Sequence, residues 1–133
     1  MVLLDTHIWL WWLIDDGPLK PDYREHLHHL AANKKIALSM ASVWETEILD
    51  RKGRIDLKID FKKWVHIATH PNYCTLLPID TSLILAQRRL PDNFHSDPAD
   101  RMITASSLLA KIPLATMDKR IINSGIVNIW NGN

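Results

Sequence analysis

A chain of 133 residues, 47% of them hydrophobic, has the length of one domain with a buried core. Its formal net charge of +1 does not by itself point to a polyanion partner. The lone cysteine, Cys74, cannot close an intrachain disulfide, so nothing suggests a stapled secreted scaffold, and its place beside an apolar run reads as structural.

Val2-Leu3-Leu4 is an apolar run that gives out at Asp5 and reads as a buried parallel strand. Thr6 is placed to cap the next helix, residues 7–14, which is apolar on every side. One side can meet the sheet. The other must meet a second helix or a partner protein, so at least one tryptophan of this helix is expected to face a partner. Residues 1–14 lack a basic leader, are interrupted by Asp5 and His7, and are too short to span a bilayer. The protein is therefore expected to be soluble and cytoplasmic.

Asp15-Asp16-Gly17-Pro18 stops the first helix. Residues 21–32 read as a helix with Tyr23, Leu27, Leu30 and Ala31 on one side, and residues 36–39 as the second strand. Ser42-Val43-Trp44-Glu45 has a capping-box pattern and is expected to open a helix ending near Gly53. Residues 60–70 look helical up to Pro71, residues 75–79 extended, and Asp80 or Thr81 caps a helix through Arg89. After a polar loop, Asp97-Pro98-Ala99-Asp100 is a strong helix start, and the helix runs to about Lys111 with Met102, Ile103, Ala105, Ser106 and Leu109 inward. Residues 114–116 form a strand reaching Met117-Asp118. A short helix, residues 119–123, and a last strand, residues 126–129, complete the chain. The alternation predicts an α/β fold with about five parallel strands flanked by helices. Neither GxGxxG nor GxxxxGK[ST] follows the first strand, which removes dinucleotide-binding and P-loop readings.

Asp5, Glu45, Asp100 and Asp118 fall at strand ends or in first helical turns, places that converge on the crevice outside the carboxyl ends of a parallel sheet. Each alone also reads as a helix cap or a first-turn acid favoured by the helix dipole. Together they raise an electrostatic problem. Two carboxylates about 4 Å apart repel by roughly 4 kcal/mol at an effective dielectric of about 20, against roughly 5–15 kcal/mol for the stability of a whole domain. Such a cluster takes up protons or holds a cation. Oxygen ligands suit Mg²⁺ or Mn²⁺, which activate water and neutralise a phosphodiester. Thr6 and Thr116 are candidates to orient an acid or a water, with capping and packing as the plain alternative. Neutralising the four acids leaves eleven against 16 basic side chains. Clusters such as Lys34-Lys35, Arg51-Lys52 with Arg54, and Lys119-Arg120 would give a basic rim suited to a nucleic acid backbone, unless they are only solvated helix faces.

Leu3-Leu4-Asp5-Thr6-His7, Ser42-Val43-Trp44-Glu45, Asp97-Pro98-Ala99-Asp100-Arg101 and Leu114-Ala115-Thr116-Met117-Asp118 together resemble a PIN domain, in the branch of the VapC-type toxins of toxin–antitoxin pairs. The resemblance covers nearly the whole chain. It implies a Mg²⁺- or Mn²⁺-dependent endoribonuclease whose metal is held by Asp5, Glu45, Asp100 and Asp118. It also implies a homodimer and an antitoxin whose tail occupies the active-site groove. Two departures stand out. Met117 lies where the family often has Arg, and Leu49 where it often has Lys. Both remove positive charge near the acids, which bears on substrate positioning; Arg101, Arg51 and Arg54 are the candidate substitutes.

Asp97 reads as a helix cap ahead of a metal ligand, and Glu47 points away from Glu45 on a helix. His7 and His95 fall near the rim, read as exposed or capping with RNA contact as the sharper alternative. His26, His28 and His29 lack partners at zinc spacing and read as surface. A dehalogenase-like phosphatase needs a second Asp where His7 stands, and the acid pair of a receiver domain is not evident. The remaining alternative is a catalytically silent module that binds RNA or protein.

Overall fold

The computed structural model describes residues 1–15 and 17–132; Asp16, part of the expected helix stop, and Asn133 lie outside the described residues. β1 (Val2–Leu4) leads into α1 (Thr6–Ile14) and α2 (Pro21–Ala32). β2 (Ile36–Ser39), α3 (Met40–Arg51) and α4 (Phe61–Ala68) follow, then β3 (Thr75–Leu77) and α5 (Thr81–Arg88). The chain ends with α6 (Pro98–Ala110), β4 (Leu114–Ala115) and α7 (Lys119–Ser124).

The sheet has the order β3-β2-β1-β4, with every pairing parallel. Leu3 pairs with Ala37 on one side and Leu114 on the other, so β1 is central and fully buried. Successive side chains of a strand point to opposite faces. Val2, Leu4, Ile36 and Leu38 accordingly join Ile8, Trp9, Leu27 and Trp64 in one core. Leu3, Ala37 and Leu114 join Leu83, Ile103 and Ile121 in the other. The result is a three-layer α/β/α domain, and burial on both faces explains why β1 and β2 are apolar throughout. No described helix is long and apolar enough to cross a membrane.

Several expectations are corrected. The sheet has four strands. The fifth is reduced to a single bridge between Leu114 and Ile129, although Val127 and Trp130 are buried in opposite layers as strand residues would be. β3 stops at Leu77, since Pro78 cannot donate to a ladder. The third helix begins at Met40, with Ser39 as its cap accepting from the Ala41 amide at 3.1 Å, and not at Ser42. Leu109 is 48% exposed and does not point inward. Asp80, and not Thr81, caps α5. The apolar side of α1 is covered in part within the domain: Trp9 meets Trp64 at 5.0 Å, and the Trp12 indole donates to His28 Nδ1 at 3.3 Å. Leu13 remains exposed and Trp11 half-buried.

Candidate metal centre

The carboxyl ends of β1 and β4 lie side by side, which places the residues after them at the point where the strand order reverses. Asp5 follows β1 and caps α1, its Oδ1 accepting from the Ile8 amide at 2.9 Å. Asp118 follows β4 and caps α7, its Oδ1 accepting from the Arg120 amide at 2.8 Å. Asp97 caps α6, its Oδ1 accepting from the Asp100 amide at 3.0 Å. Three helices therefore aim their positive ends at one place, which offsets part of the repulsion among the acids. Capping engages one oxygen of each carboxylate and leaves the second free for other work. The capping and ligand readings are thus compatible.

Glu45 arrives from the second turn of α3, because the helix starts earlier than its sequence pattern suggests. Its placement depends on Thr6. That residue is not the cap of α1, as expected. Its hydroxyl donates to Ser42 Oγ at 3.1 Å in a buried link between α1 and α3. Ser42 stands one helical turn before Glu45, so this link fixes the acid against the end of β1. Glu47 does point elsewhere and pairs with Arg51 at 2.8 Å.

These acids share one cleft of about 500 Å³, with Asp5, Glu45, Asp97, Asp100 and Asp118 in its wall. Oxygen atoms of Glu45, Asp97 and Asp100 come within 4.8 Å of one another, as do ligand atoms of His95, Asp100 and Asp118. Asp100 belongs to both groups and is the centre of the cluster. Asp5 belongs to neither, so the four expected ligands share the cleft without all closing on one point. Its second oxygen, Oδ2, is engaged by the Thr116 hydroxyl. Thr116 Oγ1 in turn accepts from the Asp118 amide at 3.0 Å, tying together the acids at the two strand ends.

The charges are visibly in conflict. Burial, followed by the charges of Asp97, Glu45, Asp118 and Asp5, pushes the Asp100 carboxyl up to about 7. Burial raises Asp5 as well, against the hydrogen bonds from Thr116 and Ile8. Burial also acts upward on Asp118, but the Arg120 amide and guanidinium outweigh it and hold this group below its ordinary value. Glu45 Oε1 is buried with no hydrogen-bond partner among the described residues. An acceptor in that position is costly unless a ligand meets it.

Two residues near the rim, His95 and Arg120, are placed more closely against the acids than their sequence reading as an exposed or capping histidine and a basic-rim residue suggests. His95 is not exposed: its side chain is 4% accessible, and Nε2 lies 2.7 Å from Asp100 Oδ2 and 3.6 Å from Asp118 Oδ2. The nearer contact is close but poorly directed, since Nε2 makes no hydrogen bond of good angle. Nδ1 accepts from the Asp97 amide at 3.1 Å, which puts the proton of a neutral imidazole on Nε2, facing the acids. His95 therefore stands against the two carboxylates with Nε2 turned toward them. Its position two residues before a capping Asp was the available signal. Arg120 lines the cleft and pairs with Asp118 at 3.3 Å. Arg101, expected near the substrate, is turned away. Its guanidinium donates to Gln87 O at 3.0 Å and to His95 O at 3.4 Å, clamping the loop that carries His95. Arg51 is committed to Glu47, while Arg54 lies beside His7 and Trp11 in a neighbouring depression. Arg120 is the arginine that lines the cleft together with Met117.

The other wall is aromatic. Trp11 packs beneath Gly17, where a Cβ would sit 2.5 Å from the indole and where φ is +109°, so only glycine closes this loop over the ring. His7 stands 5.6 Å from the same ring at the cleft mouth.

The chain is 30% identical over 121 residues to Ribonuclease VapC22 of Mycobacterium tuberculosis (strain ATCC 25618 / H37Rv), covering 90% of this chain and 88% of that protein. Its fold matches a chain of the crystal structure of VapBC2 from Rickettsia felis bound to a DNA fragment from their promoter. That match has a TM-score of 0.72 and 16% identity over 100% of both chains. It also matches FitAcB from Neisseria gonorrhoeae, with a TM-score of 0.68 and 19% identity over 99% of this chain and 98% of that one. A PIN domain profile spans residues 2–125, from the first strand through the last helix, and therefore takes in every acid of the cleft. The chain belongs to the PIN domain family.

Proposed function

We propose that this protein is a divalent-cation-dependent endoribonuclease, the toxin of a toxin–antitoxin pair, acting in the cytoplasm. The similarity to Ribonuclease VapC22 supports the substrate class and the pairing. The observation that carries the chemistry is the buried, unpartnered Glu45 Oε1, facing the same cleft as Asp100, whose carboxyl is pushed up to about 7 by burial and its acidic neighbours. A donor set made of carboxylate oxygens fits a hard cation, Mg²⁺ or Mn²⁺, better than zinc. Asp100, Glu45 and Asp118 would hold it, with Asp5 and Asp97 lining the same cleft. Bound there, the cation supplies an activated water and neutralises a phosphodiester.

The chain's own residues do the rest. Thr116 orients Asp5 and, through its acceptor oxygen, fixes the backbone of Asp118. His95 keeps Asp100 and Asp118 facing the cleft from behind. Arg120 sets a guanidinium at the rim, where phosphate charge would lie. The exposed side chains Ile84, Leu85, Leu108 and Leu109 on the paired helices α5 and α6 support a homodimer. An apolar groove lined by Leu13, Ile59, Ile67 and Tyr73, with Trp12 and Trp64 at its base, supports docking of an antitoxin helix.

Asp5→Asn tests the reading, because Asn preserves the helix cap while removing the charge. With Mn²⁺ and a mixture of single-stranded and structured RNAs, the wild type is expected to cut and the variant to lose at least about 100-fold in rate. Equal behaviour of the two would reduce the protein to a silent binding module.

A further inference from the structure

Beside the acidic cleft lies a second depression, of about 520 Å³, within the roughly 300–1,000 Å³ of small-molecule sites. It shares Arg120 with the cleft, and His95, which backs Asp100 and Asp118, also lines it. Its chemistry is the reverse of its neighbour's. The cleft is walled by five carboxylates, whereas none of the described residues lining the second depression is acidic. Its lining includes the apolar Phe94, Ile126 and Pro91. It also includes the exposed amides Asn93 and Asn123, each offering donors and an acceptor on one planar group. The Ser124 hydroxyl is already committed, donating to Ile121 O at 2.6 Å and accepting from the Ile126 amide at 3.3 Å, so it holds the wall in shape. Two N–H groups of Arg120 face Asp118, at 3.3 and 3.4 Å, and a guanidinium has three more to offer.

From this juxtaposition we infer that the depression is a nucleotide subsite, holding the RNA residue next to the phosphodiester that is cut. The base lies against the Phe94–Ile126 side, its edge is read by Asn93 and Asn123, and Arg120 bridges its phosphate to the acidic centre. Single-stranded RNA is read in this way, by apolar contact to the base and hydrogen bonds to its edge. A hollow of about 520 Å³ suits a small ligand or one nucleotide better than a protein face. The inference rests on the ribonuclease reading for its substrate class, and the two are separable by experiment.

The first measurement is nuclear magnetic resonance of the metal-free protein titrated with each of the four ribonucleoside 5′-monophosphates. The side-chain amide signals of Asn93 and Asn123 are expected to shift with at least one of them. Arg120→Gln should weaken that nucleotide about fivefold or more. The second is sequencing of the ends produced from a randomised RNA pool. Wild type should show a base preference at one position flanking the cut, and Asn93→Ala and Asn123→Ala should flatten it while cleavage continues. Amide signals unmoved by all four nucleotides, or a preference identical in wild type and both Asn variants, would overturn the subsite while leaving the nuclease intact. Shifts in a protein that cuts no RNA would instead overturn the nuclease reading and retain nucleotide binding.

Discussion

Asp100 gathers the strain of the site. It sits in the first turn of α6, where the helix dipole favours a negative charge, yet burial and the acids around it push its carboxyl up to about 7. The unfolded chain would ionise this group near 3.8. A raised folded value means that the metal-free fold holds the proton more tightly than the unfolded chain. The stability that this contributes is complete below about pH 4 and is lost as pH rises through about 7. A cation must displace that proton, so the gain in melting temperature from Mg²⁺ should be larger at pH 8 than at pH 6; equal gains would argue against Asp100 as a ligand. Thr116 offers a second test at this scale. Thr116→Val keeps the shape but removes the donor to Asp5 and the acceptor for the Asp118 amide. Metal affinity should fall about 10–100-fold, the usual effect of losing a group that orients a ligand. Calorimetric titration with Mn²⁺ measures it, and an unchanged affinity would make Thr116 a packing residue.

The elements bring these residues together through their ends. Three short strands and four capped helices meet at one rim, and each cap residue also belongs to the cleft or anchors a helix that does. Ser39 is the least conspicuous of them: buried at the end of β2, it caps α3 and so sets the phase at which Glu45 faces the acids. Ser39→Ala should destabilise the domain by about 1 kcal/mol in urea unfolding; no loss would place the start of α3 elsewhere. This cap also marks where the sequence stops being legible. Asp5 and Asp118 were readable because apolar strands end on them, and Asp97 because a Pro follows it. Glu45 was assigned to the right helix but the wrong turn, since Ser42 imitates a cap while its hydroxyl bonds to Thr6 across the fold. His95 and Arg120 carry no periodic signal; their roles come from a loop clamped by Arg101 and from a two-residue step beyond a strand end. The fifth strand was legible only in part: Val127 and Trp130 do fall in opposite layers, as strand residues would, but pairing is limited to the bridge between Leu114 and Ile129.

At the scale of the molecule, the parallel sheet serves to hold five carboxylates in one cleft, at a cost that a cation would offset. Cation binding should then appear as stability. At a Mn²⁺ concentration about 100 times the dissociation constant, linkage predicts a gain of about 2.7 kcal/mol, or a rise of roughly 10 °C for a domain of this size. The decisive comparison is the melting temperature of wild type and Asp100→Asn at pH 8, each with and without millimolar Mn²⁺. Without metal the variant should melt at or above the wild type, because a repelled charge is gone. With Mn²⁺ the wild type should rise and the variant should not. A wild type indifferent to Mn²⁺, or a variant that rises equally, would contradict a metal centre built on these acids.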